Sequence, residues 1–398
     1  MVRWLEKNTF RKKRVLVRVD FNVPLGKGRI LDNFRIRSHL PTIRILLKNK
    51  NTLILLAHIG KPGGKIMPAL STHPIAKHLA RLLGQKITFI ANPLSVAPKG
   101  VIQRSTPGSV FLIENVRFWK GEEKNDAVFA KKLAALGEVF VQDAFGVIHR
   151  KHASVIGIPR FMPSYGGPLL KKEIKALKPL IVRPQRPYVV IMGGAKISTK
   201  LHLIKTFVRR ADRVLIGGAL ANTVLATLNF PIGKSLAEKN AMPAIRKIAL
   251  RDHKILFPHD VIAARSLKTG KFSAKSIGDI AKDDIILDIG NNTRRTFIKE
   301  LKKAKTIFWN GSLGLVEKKE YAPGTLAVAR SLRKIRAYKV IGGGDLVAFF
   351  EKYRLTKNVS YVATGGGSSL MFIAGFSLPG IRALEGRVHR ALTLEKPK

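Results

Sequence analysis

Short apolar runs recur along this chain, and most are followed by segments with helical spacing. In the first half they stand at 14–21 (RVLVRVDF), 52–59 (TLILLAHI), 86–91, 110–116 (VFLIENV) and 139–145 (VFVQDAF). Amphipathic patterns lie between them, among them 71–84 (STHPIAKHLARLLG) and 125–137 (NDAVFAKKLAALG). The series restarts after residue 185, with runs at 187–194, 213–220, 254–260, 284–290, 306–311, 338–344 and 359–367. Apolar runs bounded by glycine and alternating with helices read as buried parallel strands joined by crossover helices. Two such series predict two doubly wound α/β domains. The length, 398 residues, likewise exceeds what one ordinary core accommodates. Between the series lies GGPLLKKEIKALKPLIVRPQRP, entered through Gly166-Gly167-Pro168 and closed by prolines, which predicts a connecting helix and hinge. The expected organisation is a first domain over 1–165, the hinge over 166–185, a second domain over 186–375 and a tail over 376–398.

Three strand-to-helix turns in the second half are glycine-rich: Gly193-Gly194-Ala195-Lys196, Gly342-Gly343-Gly344-Asp345 and Thr364-Gly365-Gly366-Gly367. Glycine there lets backbone N–H groups approach an anion, and the helix that follows adds partial positive charge. One such turn is explained by packing alone. Three, with a lysine in one and an aspartate in another, are what a polyphosphate and its metal require. Neither G-x-x-x-x-G-K-[ST] nor G-x-G-x-x-G occurs, which excludes a P-loop and a dinucleotide fingerprint. In sheets of this kind ligands sit at the carboxyl ends of strands, where these turns fall.

The first half carries a different constellation. Strand ends and the loops after them hold Arg18, Asp20, Asn22, Arg35, His58, Lys61 and Arg117, then the run from Asp143 through His149, Arg150 and His152. A single arginine or histidine is ordinarily a surface or structural residue. Repeated placement directly after apolar strands instead suggests convergence on a small, multiply charged phosphate or carboxylate, with arginine giving forked contacts.

Charge changes the picture. Lys and Arg number 73 against 25 Asp and Glu, a formal net charge of +48 spread along the whole chain. Such a field attracts anionic ligands, nucleic acid and anionic membranes, and repels itself. The basic residues scatter over helical patterns (KKLAAL, KELKKAKT), with no RNP-type aromatics, zinc spacing or basic arm. The reading favoured is an unusual surface on an ordinary enzyme that binds nucleic acid such as RNA non-specifically. There is no cysteine, hence no disulfide framework or thiolate metal site, which fits a reducing, cytoplasmic setting. No apolar run reaches membrane-spanning length, and the basic start has no secretory core after it.

At this point the motifs carry a resemblance. RVDFNVP (18–24), DNFRI (32–36), ENVRF (114–118), GEEKND (121–126), DAFGVIHRKHAS (143–154), GGPLLKKE (166–173), GGAKIS (193–198), FWNG (308–311), GGGD (342–345), TGGGSSL (364–370) and LPGIRAL (378–384) resemble those of phosphoglycerate kinase, in order and spacing, from residue 15 to about 385. The resemblance implies two Rossmann-like domains, 3-phosphoglycerate on the first, Mg²⁺-nucleotide on the second, and a C-terminal segment folded back onto the first. It implies reversible phosphoryl transfer between ATP and the carboxylate of 3-phosphoglycerate, giving 1,3-bisphosphoglycerate and ADP, after hinge closure in a cytoplasmic, monomeric, glycolytic enzyme. By motif position Arg35 and Lys196, with Gly344 and Gly367, would serve the transferring group. Asp20, Asn22, Arg35, His58, Lys61, Arg117 and Arg150 would bind 3-phosphoglycerate. Gly194, Lys196, Lys200, Gly218, Asn310, Glu317, Gly343, Gly344, Asp345 and Leu346 would bind the nucleotide, Glu317 at the ribose and Asp345 at Mg²⁺.

Departures from the family's usual pattern are expected to matter near the site. Lys61 stands for a usual Arg, and Leu346 for a Thr whose hydroxyl would face the transferred phosphate. Thr199 stands for Asp, Ser312 and Asn291 for prolines, Gln142 for Asn, and Val147-Ile148 for a smaller, more polar pair. No principal charged group of the mechanism is lost, so activity is expected. The alternative is a catalytically weakened, highly basic polyanion binder on the same fold.

Overall fold

A computed structural model describes residues 1–386 apart from 8, 27, 195–199, 250–252 and 269–270. The chain forms two compact units, Met1–Lys175 together with the chain from Phe376 on, and Ala176–Gly375.

In the first unit the apolar runs become β1 (Arg14–Arg18), β4 (Thr52–Leu56), β5 (Ile87–Ile90), β6 (Val110–Ile113) and β7 (Val139–Gln142), joined by β8 (Ser164–Gly166). They form one six-stranded sheet in the order β5-β6-β4-β1-β7-β8, parallel throughout. A two-stranded hairpin, β2 (Leu25–Gly26) with β3 (Arg29–Ile30), stands apart. Strand β4 is buried at every position, as a strand covered on both faces must be. The alternating sides of the sheet feed two apolar clusters. Val15, Val17, Leu53 and Leu55 face Ile36, Ile43 and Leu79, and Leu16, Ile54, Leu56 and Phe140 face Phe129 and Leu133.

The helix Pro168–Leu177 and a 3₁₀ turn, Lys178–Leu180, occupy the stretch expected to connect the units, and the division between units falls inside that helix. A further expectation concerns the C-terminal segment. The helix Pro379–Leu384 packs on the first unit, where the Gly380 N–H donates to the Ile148 carbonyl at 2.9 Å. A Cβ on Gly380 would strike Ile148, so the glycine permits the approach. Val147 and Ile148 are core residues here, which explains why an apolar pair stands at that point. The tail from 387 to 398 lies outside the described residues.

The second unit repeats the plan. Strands β9 (Tyr188–Met192), β10 (Arg213–Ile216), β11 (Ile255–Leu256), β15 (Thr306–Asn310), β16 (Tyr338–Gly342) and β17 (Tyr361–Val362) form a parallel sheet ordered β11-β10-β9-β15-β16-β17. One expectation is corrected. The run at 284–290 is a strand, but it belongs to a separate antiparallel sheet, β13-β12-β14, made of β12 (Asp260–Ala264), β13 (Ser273–Ser276) and β14 (Ile285–Ile289). Only Phe257, Pro258 and His259 separate β11 from β12, far too few for the crossover that a parallel neighbour needs.

Candidate functional site

Two groups of predicted residues come together, one on each unit. In the first unit they sit at the carboxyl ends of β1, β4 and β6 and in the loop after β7. Asp20 is buried, and its Oδ2 accepts from Arg35 Nη1 at 3.0 Å. Arg35 also donates to the Asn22 carbonyl at 3.4 Å, and the Asn22 side chain accepts from the Gly60 N–H at 2.9 Å. The Gly60 carbonyl in turn accepts from Arg117 Nη1 at 2.6 Å. Arg35, Asp20, Asn22 and Arg117 are therefore tied through the turn after β4.

Arg117 is 2% exposed, and its Nη2 has no hydrogen-bond partner. Its Nε lies 3.5 Å from Glu123. Burial, and repulsion from Arg150 and Arg18, push its pKa down to about 10, so it stays charged at neutral pH. A buried cation with unspent donors is set to receive an anion.

Arg18, also buried, donates through Nε to Ser154 Oγ at 2.8 Å and lies 3.3 Å from His58 Nδ1 through Nη2. A guanidinium can only donate, so Nδ1 of His58 accepts and its proton resides on Nε2. Burial and the charges of Arg18, Arg117, Arg35 and Arg150 hold the His58 pKa well below the usual histidine value. His58 is thus a neutral donor among cations. His149, brought down to about 4 by burial and by Arg150, is neutral as well. Glu122, buried and bonded to the Ser154 hydroxyl at 2.6 Å, stays ionised through His152, Arg18 and Ser154 despite its burial. Arg150 is half-buried on this cluster and Lys61 is exposed beside Gly60.

In the second unit three strand ends meet backbone to backbone. The Gly194 N–H donates to the Ser312 carbonyl and the Gly218 N–H to the Leu313 carbonyl, both at 2.9 Å. A Cβ on Gly193 would overlap the Ser312 oxygen and one on Gly311 the Gly193 oxygen, so the approach requires glycine. Asn310, buried at the end of β15, bridges to the Gly342 carbonyl at 2.8 Å. Beside this seam lies a cavity of about 270 Å³. Gly194, Gly218, Ser312, Glu317 and Asp345 line its polar side, and Leu236, Pro258, Val261, Ile285, Leu287, Leu313 and Leu315 its apolar side. A slot of this make-up suits a flat heterocycle with a charged tail.

Lys200, before the helix Leu201–Arg210, donates to the Gly193 carbonyl, and burial lowers its pKa while Asp345 opposes the shift. Asp345 is exposed in the first turn of the helix Gly344–Lys352, behind Gly343, whose φ is 101°. Gly344 and Gly367 are exposed at their helix starts. Lys196 and Thr199 lie outside the described residues. Leu346 departs from expectation. It is fully buried in the apolar cluster that holds Trp309, Phe349 and Phe350, so its side chain packs beneath the turn rather than facing a phosphate.

Sequence reading missed the apolar lining, because those residues look like ordinary core. It also missed Asp288, which lines the cavity and accepts from the Ile289 N–H at 2.9 Å. Burial pushes its pKa up to about 7. The DIG run was the only available signal for it.

Comparisons with known proteins bear on the chain as a whole. The family model for phosphoglycerate kinase matches residues 5–376. The chain is similar to phosphoglycerate kinases of Moorella thermoacetica, 41% identical over 377 residues with 94% of this chain and 96% of the relative covered. A similar protein from Thermus thermophilus is 42% identical over 383 residues, covering 94% and 97%. Among solved structures, phosphoglycerate kinase from Coxiella burnetii superposes with a TM-score of 0.81 at 37% identity, covering 95% of this chain and 97% of that one. The Pyrococcus horikoshii structure gives 0.87 at 30% identity, covering 97% and 98%. With the family model matching nearly the whole chain and relatives about 40% identical over nearly all of it, the chain belongs to the phosphoglycerate kinase family.

Proposed function

We propose that this chain transfers the γ-phosphoryl group of ATP reversibly to the carboxylate of 3-phosphoglycerate, with the acceptor on the first unit and the Mg²⁺-nucleotide on the second. The observation that carries this reading is the pairing of a cluster of buried arginines in one unit with a glycine-lined, apolar-backed cleft in the other. A carboxylate attacks without losing a proton, and no general base is needed. The neutral His58 fits that logic, since it donates a hydrogen bond and takes up no proton.

Arg117 and Arg150 supply charge for the acceptor's phosphate, with Lys61 at the exposed edge. Asp20 and Asn22 hold Arg35 and take the acceptor's hydroxyl. Arg35 and Lys196 neutralise the equatorial oxygens of the transferring group, and the N–H groups at Gly344 and Gly367 add donors. In the cleft, the apolar lining suits the base, Glu317 the ribose and Lys200 the phosphates, beside Gly194, Gly218, Asn310 and Gly343. Mg²⁺ arrives with the nucleotide. The exposed carboxylate of Asp345 suits an ion that keeps several waters and leans on phosphate oxygens, and no cluster of three or more metal-ligating side chains occurs among the described residues. Because the two sites belong to different units, transfer requires closure that brings them in line and expels water.

The +48 charge supports weak, salt-sensitive binding of RNA, and it opposes close self-association, which favours a monomer. No described helix is long and apolar enough to cross a membrane, and the glycolytic reaction favours the cytoplasm. The deciding test is steady-state turnover of 3-phosphoglycerate with MgATP, coupled to reductive consumption of the acyl phosphate. Turnover that Asp345→Ala abolishes supports the reading. A folded protein without turnover at any salt concentration would hand the lead to the polyanion binder.

A further inference from the structure

A third histidine lies behind the acceptor site and meets the residues assigned to the substrate only through the backbone of Asp20. His39, on the helix Phe34–Lys48, is 1% exposed. Its Nε2 accepts from the backbone N–H of Asp20 at 2.9 Å. The backbone can only donate there, which fixes the ring's proton on Nδ1, and Nδ1 lies 3.0 Å from Asp143 Oδ2. Phe21 packs edge-on against the ring, with centroids 5.7 Å apart.

The other oxygen of Asp143 is committed elsewhere. Oδ1 accepts from the N–H groups of Leu169 and Leu170, at 2.8 and 3.2 Å, in the first turn of the helix Pro168–Leu177. Gly167 makes room, because a Cβ there would collide with that carboxylate. A continuous chain of bonds therefore runs from Arg35, through the Asp20 side chain and backbone and then the His39 ring, to Asp143 and the start of the connecting helix. Both bonds that the ring makes are buried, so neither is replaced by water if the ring is lost.

We infer that His39 is a positioning residue for the phosphate-acceptor site. It locks the Asp20 loop, and through that loop the Arg35 guanidinium, in register with the start of the connecting helix. The inference rests on the acceptor site proposed above. Arg35 has one carboxylate partner, Asp20, whose main chain would otherwise depend on the loop 19–24 alone. A forked, charged contact loses strength steeply when its donor drifts, so the effect belongs to the acceptor and not to the nucleotide, which binds in the other unit.

The test uses the full-length chain and calorimetric titration with 3-phosphoglycerate and, separately, with MgATP. Three variants divide the ring's contributions. His39→Phe keeps an aromatic ring and removes both bonds, His39→Asn keeps a polar group near Nδ1, and His39→Gln keeps one near Nε2. Thermal melts establish that each variant is folded. The expected result is 3-phosphoglycerate affinity weakened roughly tenfold in His39→Phe, with intermediate losses in the other two and MgATP affinity within about twofold of the parent. Unchanged acceptor affinity in the folded variants, or equal weakening for both ligands, would overturn the inference. Should His39→Phe fail to fold, His39→Asn and His39→Gln decide by the same criterion. A parent protein that binds MgATP but no 3-phosphoglycerate would instead defeat the assignment of the acceptor site itself.

Discussion

A guanidinium taken out of water is costly unless it is paired, and the first unit encloses two, Arg18 and Arg117. Arg18 is repaid by Ser154, two backbone carbonyls and His58. Arg117 keeps Nη2 free, and Arg117→Ala is expected to raise KM for 3-phosphoglycerate at least tenfold while leaving KM for MgATP nearly unchanged. Because His58 and His149 are already uncharged well below neutrality, the same KM should be flat between about pH 7 and 8, above the second pKa, about 6, of the acceptor's own phosphate. A histidine-like inflection in that window would contradict the neutral-donor role. Asp288 gives a second pH prediction. Its native pKa, about 7, lies above the ordinary aspartate value, so the native state binds the proton more tightly than the unfolded chain. Its contribution to stability is full at acid pH and fades as pH rises from about 4 to about 7. Relative to the parent, Asp288→Asn should therefore gain up to about 4 kcal/mol between pH 4 and pH 8, read from denaturant midpoints. The charged residues were legible in the sequence because they follow apolar strands directly. His39 and Leu346 were not, since one polar ring hidden on a helix, or one leucine two residues past a glycine turn, has no sequence mark of which way it points. Leu346 goes inward with Phe349 and Phe350, which lie three and four positions on along the same helix.

At the scale of elements, the alternation of apolar runs and helices was sufficient to predict both parallel sheets apart from the edge strand β8, which reads SYG, because a strand buried on both faces leaves an unbroken apolar signature. The antiparallel trio escaped. Strand β13 reads SAKS and is largely exposed, so it carries no such signature, and β12 follows β11 after too short a gap to be told apart from it. The cleft wall was hidden for the same reason, being assembled from β12, β14 and the loop after β15, which are distant in sequence. The glycine turns, in contrast, were readable and can be tested as packing devices. Gly193→Ala would drive its methyl into the Ser312 backbone carbonyl, which has no side-chain freedom with which to yield. A loss of about 2–4 kcal/mol is expected from chemical denaturation, with KM for MgATP rising in whatever fraction remains folded. Gly28→Ala meets no atom, and its positive φ should cost only about 1 kcal/mol.

For the molecule as a whole, the charge of +48 was read from composition, and its effect is one of range. Raising ionic strength from about 0.01 to 0.15 M shortens the Debye length from about 30 to 8 Å, so kcat/KM for the anionic acceptor should fall several-fold as salt screens encounter. Non-specific RNA retention on a filter should fall far more steeply over the same range, because each phosphate contact releases a counterion. Parallel declines of equal steepness would mean that the active site, and not the surface, is what the polyanion occupies. The division of the chain has a different kind of consequence. The first unit is interrupted: it begins at the amino terminus and is rejoined from Phe376 on by the helix Pro379–Leu384, which lies over Ile148. During synthesis the whole of the second unit must therefore emerge before the first can be closed. The later-made half can finish folding while the earlier-made half still exposes the apolar floor around Ile148 and Val155, and it is there that a chaperone would find its opportunity.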